Sequence, residues 1–215
     1  MIEQKLERVR LSVPEEQVLA HLQRYEQLAL ETGATHASRL PAAGIPVDER
    51  VSLKCSIPKC FGYGTSANCP PHSLKPEETR KIVELYRWAL VFGLQIPPEV
   101  VVRDKATIQP RVEAYKKIFD VASAVESAAF YDGHYLSVGF AAGSCKSTFC
   151  FDKPCAVLGG EKCRLALRSR PSMESVGIDC YRIATELGWE IYPIGSSAGP
   201  RCIPHGLLMG LVLVT

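Results

Sequence analysis

Apolar residues recur at helical spacing in two long segments of the chain. The first segment predicts a helix over residues 13–31, which a capping box of Ser12 and Glu15 would begin and Gly33 would end. Its apolar positions are Val18, Leu22, Tyr25 and Leu28. The second segment predicts the longest helix of the chain, with Thr107 as its N-cap. Its apolar positions are Ile108, Val112, Tyr115, Phe119, Ala122, Val125 and Ala129.

Shorter apolar runs, bounded by Gly and Pro, predict the strands. The candidates are residues 34–42, 90–96, 135–140, 189–194 and 207–214. Val51–Cys55 is also strand-like, and further helices are predicted to begin at Pro76 and at Ser172, the latter running to about Leu187. Because strands and helices alternate along the chain, the pattern favours an α/β fold. We expect a single layered domain over residues 1–215, with a mixed β-sheet flanked by helices.

Seven cysteines fall into two loops that also contain Gly, Pro and Lys. The first loop, residues 55–72, has the spacing C-x4-C-x8-C-P-P and contains Cys55, Cys60 and Cys69. The second loop, residues 143–170, has the spacing C-x4-C-x4-C-x7-C and contains Cys145, Cys150, Cys155 and Cys163. These cysteines lack the periodicity of core positions. Both loops follow strand-like segments, where α/β folds place their ligand sites, so we expect both loops to bind metal.

The wide spacings in both loops favour an iron–sulfur cluster over zinc. Zinc sites commonly use tight C-x2-C pairs, whereas the ligands of a cubane cluster must reach different corners of a larger object. A proline directly after a ligand cysteine, as in Cys69-Pro70, also occurs in bacterial ferredoxin motifs. We therefore expect [4Fe–4S] clusters, with zinc as the alternative.

The first loop has one cysteine too few to ligate a cubane cluster alone. Cys202, Cys180 and His72 are the candidates for the fourth ligand. Cys180 lies on the apolar face of the predicted helix from Ser172 and is better explained as a core residue. Cys202 is either a ligand or an incidental loop thiol. If no residue completes the set, an open iron could bind a substrate as a Lewis acid.

Composition and charge narrow the class of protein. Hydrophobic residues form 47% and charged residues 22% of the 215 residues, which is ordinary for a globular domain. A formal net charge of +2 and the lack of a basic cluster give no reason to expect nucleic-acid binding. The N-terminus lacks the apolar core of a signal peptide, and the longest apolar run, Leu207 to Val214, is too short to cross a membrane, so we expect a cytoplasmic protein. Nine cysteines in a reducing compartment indicate metal or redox chemistry instead of disulfides.

The two cysteine motifs together carry a family resemblance. The first runs from Val51 to His72, and the second runs from Gly143 through Cys163 into Arg170-Pro-Ser-Met-Glu-Ser-Val-Gly-Ile-Asp179. From about Val51 onward the chain resembles the bacterial and archaeal predicted metal-binding proteins grouped as domain of unknown function 2284. The resemblance implies metal binding through these cysteines, as iron–sulfur, with no settled activity.

The sequence therefore predicts a protein with two [4Fe–4S] clusters that exchanges electrons with a redox partner protein. One cluster would bind the four cysteines of the second loop, and the other would bind Cys55, Cys60, Cys69 and an unassigned fourth group. Two alternatives remain open. The first is an iron–sulfur enzyme with an open iron at the three-cysteine cluster, and the second is a zinc-binding structural or sensing module. The oligomeric state is not predicted.

Overall fold

The computed structural model describes residues 9, 11–102, 108–195 and 198–214. Its helices and strands are, in chain order, α1 Glu15–Thr32, β1 His36–Pro41, α2 Glu49–Ser56, α3 Pro76–Val83, β2 Trp88–Ile96, α4 Pro98–Val101, α5 Ile108–Tyr131, β3 Val138–Phe140, α6 Cys145–Phe149, α7 Cys180–Glu186 and β4 Gly206–Val214. None of the helices within these residues combines the length and hydrophobicity needed to cross a lipid bilayer.

The four strands form one sheet in the order β1-β2-β4-β3, and all three neighbouring pairs are antiparallel. The predicted combination of helices and a sheet is confirmed, but the expected mixture of strand directions is wrong. A lone parallel bridge joins Ala141 to Ser172 outside the strands. Strand β4 pairs along its whole length with β2 and carries β3 on its other edge, so it lies inside the sheet.

Each face of the sheet is covered by its own hydrophobic core. On one face, Leu90 of β2 and Val212 of β4 pack against α1 and α5. On the other face, Val91 and Leu211 pack against the turn Glu174–Val176 and α7. Because successive side chains of a strand point to opposite faces, a strand buried on both faces is apolar at nearly every position. This is why both central strands were predictable from continuous apolar runs.

Helix α1 is fastened to the C-terminal end of α5 by polar contacts. The hydroxyl of Tyr25 donates a hydrogen bond to Asp132 at 2.7 Å, and Arg24 forms an ion pair with the same carboxylate. The buried imidazoles of His21 and His134 lie 3.0 Å apart, from Nδ1 to Nε2. These contacts add specific pairing to the apolar packing of the two helices.

Several predicted boundaries differ from the structure. Residues 51–55 belong to helix α2, because Asp48 caps that helix by accepting the backbone N–H of Arg50 at 2.8 Å. The predicted cap at Ser12 is also wrong, because Pro14 precedes the first turn of α1 and no side chain caps it. The prediction that Thr107 caps α5 falls outside the described residues.

The C-terminal third differs from prediction in two further places. Ser172 begins only the turn Glu174–Val176, where its hydroxyl accepts the backbone N–H of Ser175 at 3.1 Å. The following helix, α7, is separate and is capped by Asp179. The described residues from 189 to 194 form no strand.

Candidate metal centre

The first cysteine loop is a chain of tight turns that begins at the end of α2. The backbone N–H of Cys60 donates to the carbonyl of Cys55 at 2.9 Å, and that of His72 donates to the carbonyl of Cys69 at 3.0 Å. A 2.7 Å bond from the N–H of Gly64 to the carbonyl of Pro70 closes the middle of the loop. The loop thus returns on itself and brings its three cysteines to one region.

The thiol of Cys55 is influenced by its acidic neighbours. Burial, together with the negative charges that Cys60, Glu174 and Cys69 can carry, raises the pKa of Cys55 to about 11. Cys69 is buried, while Cys55 and Cys60 are half-buried. Acidic groups near a thiol favour its protonated state unless a cation compensates their charge.

The second loop leaves strand β3 through a turn that requires glycine. Gly143 has a φ of +69°, and a Cβ at this position would lie 2.5 Å from the ring of Tyr115. The turn directs Cys145 into the short helix α6, which packs against α5. Cys150 follows the last residue of α6. Its carbonyl accepts a hydrogen bond from the ammonium of Lys146 at 2.6 Å.

Hydrogen-bond donors surround the sulfur of Cys155. Its partial burial acts to raise its pKa, but the backbone N–H groups of Leu158, Ala67 and Val157 act in the opposite direction. The guanidinium of Arg164 contributes positive charge, and the net effect lowers the pKa of Cys155 below that of an ordinary thiol. N–H groups directed at a sulfur stabilise its thiolate, which is the form that binds metal.

The residue that follows Cys163 contacts the residue that precedes Cys155. Arg164, the next residue after Cys163, donates from Nη1 to the carbonyl of Pro154 at 2.9 Å. Arg168 and Arg170 continue the segment and form ion pairs with Asp120 and Glu126 of α5. The second loop is therefore fastened to the longest helix of the fold.

The two cysteine loops contact each other directly. The side-chain amide of Asn68 lies 3.5 Å from the Sγ of Cys145 and donates to the Oγ of Ser169 at 2.8 Å. The thiol of Cys69 lies 3.4 Å from the Oγ of Ser144. Ala67, the residue before Asn68, supplies one of the N–H groups directed at Cys155. Loops far apart in sequence thus form one continuous cysteine-rich surface.

Residues 38–214 match the family described as predicted metal-binding protein (DUF2284). The chain belongs to this family. The match covers both cysteine loops and every strand except the first two residues of β1. No curated protein and no solved structure matches the chain.

Thiols of this DUF2284 chain lie near one another without forming a compact site for one ion. Among the described residues, no three His, Cys, Asp or Glu side chains lie close enough together to hold a single metal ion. The thiols of Cys60 and Cys69 are nevertheless near enough to contribute to the raised pKa of Cys55. Thiolates are ligands of both zinc and iron–sulfur clusters.

The predicted ligands outside the two loops lie in different surroundings. Cys180 is buried in the second core, which confirms the prediction that it is a core residue. Cys202 is exposed on the turn Pro200–Cys202, and His72 is exposed at the end of the first loop.

One residue near the first loop was not predicted from the sequence. Glu174 contributes to the raised pKa of Cys55 although the two residues are far apart in the chain. Its own pKa is raised by burial. A single carboxylate inside the segment Pro171–Val176 has no spacing pattern that would mark it. The only available signal was its presence in the motif that carries the family resemblance.

A shallow hollow of about 430 Å³ opens where the two loops of this DUF2284 protein meet. Its lining includes Thr65 from the first loop and Cys155, Leu158 and Arg164 from the second. Of the seven loop cysteines, Cys155 lines the hollow, and Cys55, Cys60 and Cys69 do not.

Proposed function

We propose that this protein is an electron-transfer protein with two [4Fe–4S] clusters. One cluster is bound by Cys145, Cys150, Cys155 and Cys163, and the other is bound by Cys55, Cys60, Cys69 and a further group. When bound, such clusters take up and release single electrons. The contribution of the chain is to hold the thiolates, to donate hydrogen bonds to their sulfurs and to limit the access of water.

The observation that carries this proposal is the contact between the two loops. Asn68 of the first loop lies 3.5 Å from the sulfur of Cys145, and Ala67 directs its N–H at the sulfur of Cys155. Two clusters in these loops would be neighbours, so an electron could pass from one to the other. Hydrogen bonds to ligand sulfurs also raise the potential of a cluster, because they stabilise its additional negative charge.

The surface around the loops suits a protein partner. Ile57, Phe61, Phe151 and Leu167 are between 62% and 85% exposed, which is unusual for large apolar side chains. Together the loops, residues 55–72 and 143–170, carry seven Lys and Arg but only two acidic residues. Apolar side chains among positive charges fit a partner with an acidic rim around an apolar centre. We propose that this partner is a redox protein that docks over the loops.

The deciding experiment is anaerobic purification of the full chain, followed by visible absorption spectroscopy and analysis of iron, sulfide and zinc. We expect a brown protein with about eight iron and eight sulfide per chain, as two cubane clusters require. The reduced protein should show the electron paramagnetic resonance of two interacting clusters. A colourless protein with zinc and no sulfide would overturn the proposal and establish the zinc module in its place.

The enzyme alternative predicts a different result in the same preparation. A small molecule that binds an open iron would perturb the spectrum of one cluster and leave the other unchanged. Screening the reduced and oxidised protein against small oxygen and nitrogen ligands, such as citrate and imidazole, tests this directly. Spectra unchanged by these probes in both oxidation states favour electron transfer.

A further inference from the structure

We infer that the buried pair His21 and His134 is an acid-sensitive latch, which holds helix α1 on the C-terminal end of α5. At neutral pH the two imidazoles are hydrogen-bonded and the latch is closed. In mild acid the pair separates, and α1 loses this fastening. No loop cysteine belongs to the pair, so the latch works whether or not the protein transfers electrons.

The two imidazoles meet inside the protein. Nδ1 of His21 lies 3.0 Å from Nε2 of His134, and the rings stand nearly perpendicular, at 86°. His134 is fully buried, and His21 is 8% exposed. Two ring nitrogens at this distance share one hydrogen bond, in which one nitrogen carries the proton and the other accepts it. The closed latch therefore needs at least one neutral imidazole.

The end of α5 determines where His134 lies. Gly133 follows the helix with a φ of +96°, and its backbone N–H donates to the carbonyl of Phe130 at 3.2 Å. The N–H of His134 then donates to the carbonyl of Ala129 at 2.9 Å. These two bonds form a Schellman motif, which turns the chain back over the end of the helix. His134 is thus part of the helix cap, so the closed pair joins α1 to a fixed point.

Charged and polar side chains surround the His21 end of the pair. Among the described residues, Asp132 favours the charged form of His21, whereas Arg24 opposes it. Burial is the largest influence, and the net effect lowers the pKa of His21. The carboxylate of Asp132 also accepts the hydroxyl of Tyr25 at 2.7 Å and pairs with Arg24. Tyr25 adds no charge, because burial raises its pKa.

Protonation affects the pair in two steps. One added proton leaves the hydrogen bond in place, because an imidazolium donates to a neutral imidazole. A second proton removes the acceptor and places two positive charges side by side, away from water. Separation lets both rings reach water and share its dielectric. Opening the latch therefore takes up protons, and acid favours it.

The direction of the pH dependence follows from His21. In the closed state its pKa lies below the ordinary value of 6.5, to which it returns once the ring is exposed. The open state consequently binds more protons than the closed state at pH values below 6.5. The attachment of α1 is at full strength above that pH and weakens as the pH falls below it.

The latch connects two parts of the chain with different relations to the family. Helix α1 ends at Thr32, whereas the family match begins at residue 38. Helix α5 lies within the match and is the helix to which Arg168 and Arg170 of the second loop are paired. Because α1 buries Leu22 and Ala29 in the first hydrophobic core, opening the latch exposes part of that core.

Hydrogen–deuterium exchange of the full chain, read by peptide mass spectrometry, tests the latch. Exchange is measured at about pH 7.5 and about pH 5.5, with exchange times scaled for the intrinsic pH dependence of amide exchange. Peptides from α1 are compared with peptides from β2 and β4 of the same molecule. The variants His21→Gln and His134→Gln replace each imidazole by an amide that does not titrate. Far-ultraviolet circular dichroism identifies variants that do not fold.

His205→Gln is the matched control. It removes a half-buried imidazole that contacts Gln95 at 3.1 Å, next to the first residue of β4 and outside the latch. Its α1 peptides should respond to pH as those of the wild type do. A response of α1 that is lost in this control as well would overturn the assignment to His21 and His134.

We expect the protection of α1 in the wild type to fall about tenfold between the two pH values, beyond any change in β2 and β4, because opening takes up about one proton. His21→Gln and His134→Gln should lose this additional fall. Persistence of the fall in either folded variant overturns the inference. If neither variant folds, the wild type decides, because equal responses of α1 and the strands would show that no latch opens.

Discussion

The two cysteine loops are held in place by different kinds of contact. The second loop contains all four of its thiols within residues 145–163 and is fastened to α5 by arginines of its own C-terminal part. The first loop contains three thiols, and the residues on either side of it, Asp48 and Ser73, hydrogen-bond to the carbonyls of Gly177 and Ser175 in a distant part of the chain. One loop is held by its own side chains, and the other is held through the residues that flank it.

The difference is also electrostatic. Backbone N–H groups and Arg164 lower the pKa of Cys155 in the second loop. In the first loop, burial and neighbouring acids raise the pKa of Cys55 to about 11. The second loop thus stabilises the thiolate of Cys155 before metal arrives, whereas the thiol of Cys55 in the first loop holds its proton more tightly. We therefore expect the second loop to fill first when iron and sulfide are limiting.

The largest expected effect is the loss of a whole cluster on substituting Cys155. Cys155→Ser should lower the iron content to about half, and Cys60→Ser should do the same at the other site. Each variant should keep the electron paramagnetic resonance of the untouched cluster. If either substitution removes all of the iron, the two loops share one cluster and the distinction between them does not hold.

The second prediction concerns the reactivity of the metal-free thiols. At pH 8 a thiol with a pKa of about 11 has far less thiolate than an ordinary cysteine with a value of 9.0. Because a more basic thiolate is intrinsically more nucleophilic, the net reaction should be slower by about tenfold. Alkylation of the apoprotein with iodoacetamide, followed by peptide mass spectrometry, should therefore label Cys155 well before Cys55. In denaturant the two should react at equal rates, and equal rates in the folded protein would contradict the comparison.

The third prediction concerns the attachment of the second loop to α5. Arg170 and Glu126 form a partly buried ion pair, with side chains 16% and 20% exposed, and Arg170 also donates to the carbonyls of Ala166 and Ser169. Arg170→Ala should lower the free energy of unfolding by about 1–3 kcal/mol, since charged hydrogen bonds are lost. Urea denaturation of the apoprotein measures this change.

Arg168 is the matched control for that experiment. Its ion pair with Asp120 is more exposed, at 41% for both side chains. Arg168→Ala should cost about 0–1 kcal/mol, as exposed ion pairs do. Equal effects of the two substitutions would show that Arg170 has no special part in holding the loop.

The smallest expected effect is that of Cys202→Ser. The thiol of Cys202 is exposed and lies outside both cysteine loops, so iron, sulfide and spectra should equal those of the wild type. Iron analysis of the anaerobically purified variant measures this. Loss of iron would place Cys202 in the ligand set.

Local pattern was enough to predict α5, the two central strands and the cysteine loops. Each of these is determined by neighbours in sequence, such as the helical repeat from Ile108 to Ala129. Helix α2 was mistaken for a strand, because its short alternating sequence conceals the cap that Asp48 provides. The strand directions could not be predicted from the sequence either, because they depend on which strands become neighbours in the sheet.

The candidate site, too, could be predicted from the sequence only in part. Spacing was enough to group the cysteines within each loop. It could not show that Asn68 would lie against Cys145, or that Glu174 would lie near Cys55. Both contacts join residues that are far apart in the chain, and such contacts form only in the folded protein.

The place of strand β4 in the chain has a consequence for biosynthesis. This strand joins β2 to β3, yet its residues, Gly206–Val214, follow both cysteine loops and leave the ribosome after them. During translation all seven loop thiols emerge before the sheet that positions them can close. A metal site that requires the closed sheet can therefore form only after β4 has emerged, and until then the loop thiols are open to oxidation.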